Sequence, residues 1–202
     1  MDPPEPLPGS FARRRFLGLA LAASLAPRVP AAEGDLWPRL REGGLVLLIR
    51  HAATVAGLGD PPGFRLDDCA TQRNLSEEGR AQSRRLGDRL RAEGVPIARV
   101  YTSPWCRCRE TARLAFGSAE DWEALSSFFD FPHRESEFTE RVKKRIGSYS
   151  TRKPGGNVAM VTHNVNIAAL TKLSVTTGEI VAVRPDGCCG LRVQGRLDLA
   201  RS

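Results

Sequence analysis

The run Gly44-Leu45-Val46-Leu47-Leu48-Ile49-Arg50 is apolar almost to its end and is entered through two glycines. A short unbroken run of this kind predicts a strand buried on both faces, as in a parallel sheet. Asn157-Val158-Ala159-Met160-Val161-Thr162, reached through Gly155-Gly156, predicts a second buried strand, and Arg99-Val100-Tyr101-Thr102 a short third one. Between them the pattern becomes helical. Ser76 supplies an N-cap hydroxyl, Glu77 and Glu78 suit the positive end of a helix, and Leu86 and Leu90 share one face. Gly94 and Pro96 close that helix near Glu93. Ser103-Pro104 predicts another start, Ser at the N-cap and Pro at the first helical position, for a helix from Cys106 to about Phe116. Further helices are predicted over 137–148 and from His163 through Leu173, and a closing hairpin over 181–193 around Pro185-Asp186-Gly187. Residues 125–131 read as a short strand or an exposed apolar loop. Strands alternating with helices predict an α/β fold, a three-layer sandwich with a mostly parallel central sheet and helices on both faces. The long loop at 52–74, with Gly57, Gly59, Pro61, Pro62 and Gly63, has a length that compact domains reserve for functional segments.

Composition adds boundaries. The chain has 202 residues, 41% hydrophobic and 26% charged, which excludes intrinsic disorder. No apolar run reaches the roughly 18–20 residues of a bilayer span, and no tandem repeat is visible. Before the domain lies a different kind of segment. Arg13-Arg14-Arg15-Phe16-Leu17 precedes a short Ala/Leu-rich stretch to Leu25, then Pro27, Pro30 and the small pair Ala31-Ala32. Charge, short apolar stretch and small residues follow in the order of a signal peptide, and the Arg-Arg-x-Phe-Leu core resembles a twin-arginine signal. The expectation is a signal over residues 1–31, recognised by the twin-arginine export machinery, and a domain over 32–202. The mature protein would then be periplasmic or secreted, with no stable membrane anchor after cleavage.

The formal net charge of +7 points to anionic partners. Residues 1–31 hold four arginines and two acids, so the domain alone stays basic. Arg141, Lys143, Lys144 and Arg145 read as a solvated helix face and not as a nucleic-acid patch, because no aromatic residues interleave them. No nucleic-acid partner is expected. Of the five cysteines, Cys106-x-Cys108 and Cys188-Cys189 lack zinc-ribbon or thioredoxin spacing. They read as small packed residues, with a disulfide among Cys69, Cys106 and Cys108 left open. The odd number leaves at least one unpaired in a monomer.

Only three histidines occur, His51, His133 and His163, and two of them directly follow apolar strands. In a parallel sheet the C-terminal strand ends line one edge, where ligands bind. The Ser103-Pro104 turn lies at the same edge and opens a helix with Arg107 in its first turn. Strand logic thus brings Arg50, His51, Arg107 and His163 to one crevice, with helix N-termini adding backbone N–H donors. Two imidazoles and two forked guanidiniums suit a tetrahedral dianion.

These residues sit in four segments that resemble signatures of the histidine phosphatase superfamily, the phosphoglycerate-mutase-like family. Arg50-His51-Ala52 is similar to its Arg-His-Gly. Leu75-Ser76-Glu77-Glu78-Gly79-Arg80-Ala81-Gln82 resembles its L-[ST]-x-x-G-x-x-Q segment. Ser103-Pro104-Trp105-Cys106-Arg107 through Thr111-Ala112 resembles S-P-x-x-R-x-x-x-T-A, and Val161-Thr162-His163-Asn164 resembles V-[GTS]-H-[GN]. The resemblance implies a phosphomonoesterase with His51 as the nucleophile and a phosphohistidine intermediate. Its substrate would be a small phosphorylated metabolite, a sugar phosphate or a phosphoprotein. Arg50, Arg107 and His163 would bind the phosphoryl group, with Ser103 and Asn164 as further substrate contacts, and no metal or other cofactor is implied. Two departures stand out. Ala52 replaces a glycine, tolerable if φ there is negative. Ser127 stands where the family carries an acidic proton donor. Asp130 is the first replacement, on the expectation that Phe128 and Phe129 bury it and raise its pKa; Glu123, Asp60, Asp67 and Asp68 are others, the three loop aspartates reading first as turn residues. Without an acid the chain would be a weak enzyme or a phosphate binder. An anion-binding module on the 141–145 face and a cysteine redox role are more distant readings.

Overall fold

The computed structural model describes Met1 and residues 36–149, 155–187 and 190–199. The signal expected over residues 1–31 and the Cys188-Cys189 pair lie outside the described residues. Among the described residues no helix is long and apolar enough to cross a membrane.

The chain runs α1 (Leu36–Glu42), β1 (Val46–Arg50), a long loop, α2 (Glu77–Ala92), β2 (Ile97–Thr102), α3 (Cys106–Phe116) and β3 (Glu120–Asp121). It continues with α4 (Glu135–Ser148), β4 (Asn157–Thr162), α5 (Asn164–Thr171), β5 (Ile180–Asp186) and β6 (Gly190–Leu197). Six strands form one sheet in the order β3-β2-β4-β1-β5-β6. β3, β2, β4 and β1 are parallel, and β5 and β6 return antiparallel as the closing hairpin. The mostly parallel α/β sheet expected from the sequence is therefore present.

Alternation along the strands divides the core into two layers. Leu47, Ile49, Ala159 and Val161 pack with Leu86 and Leu90 of α2 and Ala112 of α3. Val46, Leu48, Val158 and Met160 face Val142 and Ile146 of α4 and Ile167 of α5. Both strand faces are covered, so β1 and β4 must be apolar at nearly every position. The N-terminal strand edge is pinned by Asn157, whose Oδ1 accepts from Leu45 N and whose Nδ2 donates to Leu40 O and Pro96 O. That leaves the C-terminal edge for chemistry.

α2 is capped as expected, Ser76 Oγ accepting from Gly79 N. α3 is not. Its N-cap is Trp105, without a side-chain cap bond, and Ser103 lies before the helix with its hydroxyl directed at His163. The 125–131 segment is neither strand nor fully exposed. A 3₁₀ turn, Glu123–Leu125, buries Ala124 and Leu125, and Phe128 is buried while Phe129 and Phe131 face water.

Candidate active site

β1 and β4 pair in register from Val46↔Val158 to Arg50↔Thr162. The two histidines that follow these strands therefore emerge side by side, with ring centroids 5.4 Å apart in an edge-to-face arrangement. His51 N donates to Thr162 O, which fixes the first turn after β1 on the neighbouring strand. One pocket of about 180 Å³ is lined by Arg50, His51, Asp60, Arg73, Arg107 and His163 at its polar end. The four residues expected to converge do so.

His51 is buried, and its Nδ1 lies 2.9 Å from Ala52 O. A carbonyl only accepts, so Nδ1 carries the hydrogen and donates. Nε2 is left with its lone pair. Burial, and next the charge of Arg107, push the His51 pKa down to about 3, so the ring is neutral. His163 is depressed well below the ordinary histidine value for the same reasons, burial first, then Arg107 and His51. The sequence left the charge of His163 open; in this site it is neutral. Its Nε2 is 2.9 Å from Ser103 Oγ and 3.5 Å from Cys108 Sγ.

The guanidiniums are held by acceptors away from the pocket centre. Arg50 Nη1 donates to Val175 O, and Arg73 Nη1 to Thr54 Oγ1 and Gly57 O. Arg107 Nη1 donates to both oxygens of Asp60, at 2.8 and 3.0 Å. The Nε–H groups of Arg50, Arg73 and Arg107 are all buried without a partner. The three guanidiniums line one small pocket, and their combined charge suits a phosphoryl dianion.

Arg73 and Asp60 were not foreseen in these places. The Asp60 side chain is 2% exposed and that of Arg107 4%, so they form a buried ion pair. Asp60 also accepts from Trp105 Nε1 and from Arg73 N. The loop bearing Asp60 and Arg73 is tied to the start of α3 at two further points: the Cys69–Cys106 disulfide, and Gln72 Oε1 accepting from Cys106 N. Asp67 pairs with Arg65 and Asp68 caps Cys69–Thr71, so these two are turn residues.

Other expectations need correction. Ser103 is fully buried behind His163, a contact of the histidine and not a wall of the pocket. Asn164 lines the pocket, but its Oδ1 is engaged by Val175 N and Ser174 Oγ. Asp130 also lines it, yet stands exposed: the chain turns Phe129 outward, and the apolar pair does not enclose the carboxylate. Glu123 is exposed, and hydrogen bonds from Arg141 and Arg134 hold its carboxyl below the usual range. Ser127 occupies the wall, with Oγ accepting from Phe129 N.

The remaining signature residues shape the backbone around His51. A Cβ at Gly79 would fall 1.8 Å from Ala53 O, so only glycine lets α2 approach the loop here. Gln82 bridges Ala53 N and Thr177 O. Thr111 Oγ1 accepts from Ala52 N. Ala52 is not among the positive-φ residues, which explains why a methyl group is accepted at a glycine position.

A family model described as histidine phosphatase superfamily (branch 1) matches residues 46–130. No curated protein matches the chain by sequence. Solved structures match by fold. The protein histidine phosphatase SixA complexed with tungstate is 20% identical at a TM-score of 0.59, over 78% of this chain and 98% of that one. YhfR of Bacillus stearothermophilus is 20% identical at 0.56, over 77% and 98%. An Escherichia coli K-12 protein with the provisional assignment alpha-ribazole-5'-P phosphatase is 18% identical at 0.53, over 77% and 96%. The family match ends before His163, and the strand pairing supplies what it leaves out by setting that ring beside His51. The match over residues 46–130, the shared fold and the signature residues gathered at one strand edge make this chain similar to the histidine phosphatase superfamily, branch 1.

Proposed function

We propose that the protein is a phosphomonoesterase acting through a phosphohistidine at His51, on a small phosphorylated metabolite, a sugar phosphate or a phosphoprotein. The observation that carries this reading is the neutral His51 ring, with its Nδ1–H spent on Ala52 O, in a pocket lined by the guanidinium-bearing Arg50, Arg73 and Arg107. In the first step the Nε2 lone pair attacks phosphorus. The P–O ester bond breaks, its electron pair stays on the leaving oxygen, and a proton reaches that oxygen from Asp130. In the second step water attacks the phosphohistidine, gives its proton to the Asp130 carboxylate, and the P–N bond breaks to release phosphate and neutral His51. Arg50, Arg73 and Arg107 hold the equatorial oxygens, where charge spreads in the transition state. His163 adds a polar contact beside them. Asp130 is assigned as proton carrier because it lines the pocket, while the other lining carboxylate, Asp60, is taken up by Arg107.

The solved relatives named for a protein histidine phosphatase and a ribazole phosphate phosphatase fit this substrate range without choosing within it. Export through the twin-arginine pathway belongs to the same proposal. Arg13-Arg14-Arg15-Phe16-Leu17 supports it, as does the Cys69–Cys106 disulfide, a bond at home in oxidising compartments.

The test is brief exposure to a phosphodonor, such as p-nitrophenyl phosphate, followed by an acid quench or a base quench. Phosphate on His51 that survives base and is lost in acid, absent in His51→Ala, is the expected result. A second reading, a phosphate binder with little turnover, is favoured by Ser127 in the acid position; tight phosphate binding without label or turnover would establish it.

A further inference from the structure

We infer that this site takes phosphomonoesters of apolar alcohols, with a chain or ring next to the ester oxygen, in preference to phosphates of polyols; the inference rests on the phosphomonoesterase reading for its chemistry. The polar end of the pocket is filled by Arg50, His51, Arg73, Arg107 and His163, and the whole cavity measures about 180 Å³. That space holds a phosphoryl group and the first few atoms of an ester. The rest of the substrate must leave through the mouth, where Leu58 and Phe129 offer apolar surface beside Ser127, Asp130 and Asn164.

Leu58 and Phe129 both line it, 88% and 52% exposed. They come from opposite sides, Leu58 from the long loop and Phe129 from the segment after the 3₁₀ turn at Glu123–Leu125. The two sides nearly touch: a Cβ at Gly59 would lie 3.8 Å from Phe129 Cε1. Apart from Met1 and Val193, every well-exposed large apolar side chain among the described residues lies on these two segments: Val55, Leu58, Leu66, Phe129 and Phe131. Scattered surface apolar residues need no explanation, but two of these, Leu58 and Phe129, face each other at the opening of a cationic pocket. An amphiphilic phosphate satisfies both parts, its dianion on the guanidiniums and its apolar portion between the lips. A polyol would place hydroxyls between Leu58 and Phe129, where they lose water against apolar surface.

The experiment measures dissociation constants of hexylphosphonate, phenylphosphonate and 2,3-dihydroxypropylphosphonate for the wild type, Leu58→Ser and Leu58→Ser/Phe129→Ser. Turnover of the corresponding phosphate esters is measured in parallel. The wild type is expected to prefer the hexyl or phenyl compound by about tenfold or more, a size that apolar pockets reach for small hydrophobic differences. The preference should shrink in the single variant and vanish in the double one. A hexyl preference assigns a chain and a phenyl preference a ring. Equal wild-type affinities, or a preference that persists in folded variants, overturns the inference. If the double variant does not fold, the wild-type ratio and Leu58→Ser, a change at an exposed side chain, decide. Apolar preference in binding with no turnover and no His51 label would remove the phosphatase reading and leave the selectivity of the pocket standing. Turnover with glycerol 1-phosphate as the better substrate would do the reverse.

Discussion

The pocket is built by two regions of different construction. Arg50, His51 and His163 stand at the ends of β1 and β4, which are locked by a parallel ladder and buried on both faces. Asp60 and Arg73 come from the 52–74 loop, which has no ladder and is held by a disulfide, a buried ion pair, and bonds of Gln72 to the loop's own backbone at Arg65 O and to Cys106 N of α3. Arg107 stands where they meet, on α3 but gripped by the loop through Asp60. Strand ends place the reacting atoms by sheet geometry, which sequence variation hardly moves. Loop groups depend on a few individually breakable ties. The strand half should therefore govern whether chemistry occurs, and the loop half how well the phosphoryl group is held.

The largest expected effect is on the strand half. His51→Ala should lower turnover on the order of 10⁴-fold or more, the scale for loss of a nucleophile, with no phosphoprotein trapped. Residual turnover near the wild-type rate would mean that the loop half does chemistry of its own. The same half should be acid-sensitive. An unfolded histidine takes a proton near pH 6.5, whereas folded His51 resists until about pH 3 and His163 is depressed as well. Between those limits the unfolded chain binds more protons, so stability falls as pH drops from about 6.5, by up to about 1.4 kcal/mol per pH unit for each ring. Urea titrations across this range check it; a flat profile would show that the rings are not buried neutral.

On the loop half, Cys69→Ser/Cys106→Ser should cost about 3–4 kcal/mol of stability, the loop-entropy value for a link across a separation of 37 residues. It should also raise KM more than it lowers kcat. Asp60→Asn should reduce kcat/KM about a hundredfold, the scale of a catalytic group displaced by about 1 Å. Combined with Arg107→Gln, it should add little, because Asp60 acts through that guanidinium; additive losses in the double variant would refute the linkage. The smallest effect is expected at Cys108. Burial pushes its thiol up to about 12, so iodoacetamide at neutral pH should leave it unmodified, as mass spectrometry of the native protein would show.

The contrast between the halves also explains what could be read from the sequence. The central strands were legible because burial on both faces leaves a continuous apolar run, and His51 and His163 were legible as polar residues placed directly after such runs. The short elements were not. α1 buries only Leu36 and Leu40, and β3 is two exposed residues, Glu120 and Asp121. Asp60 sits between Gly59 and Pro61, the local signature of a turn, and its partner Arg107 lies 47 residues away. No periodicity encodes such a pairing. Asp130 failed as a buried acid for a related reason: adjacency to Phe128 and Phe129 says nothing about which ring points inward, and Phe129 does not. Ser103 looked like a helix cap because Ser-Pro often is one, but its hydroxyl is engaged by a histidine 60 residues later.

The sulfur bridge between Cys69 and Cys106 separates manufacture from readiness. A polypeptide made under reducing conditions could lay down its sheet and bring both imidazoles together, since nothing there needs an oxidant. The clasp beside Arg107 would close only when electrons are taken away. Assembly of the strands and closure of the clasp are then separable events, and only the second needs an oxidant.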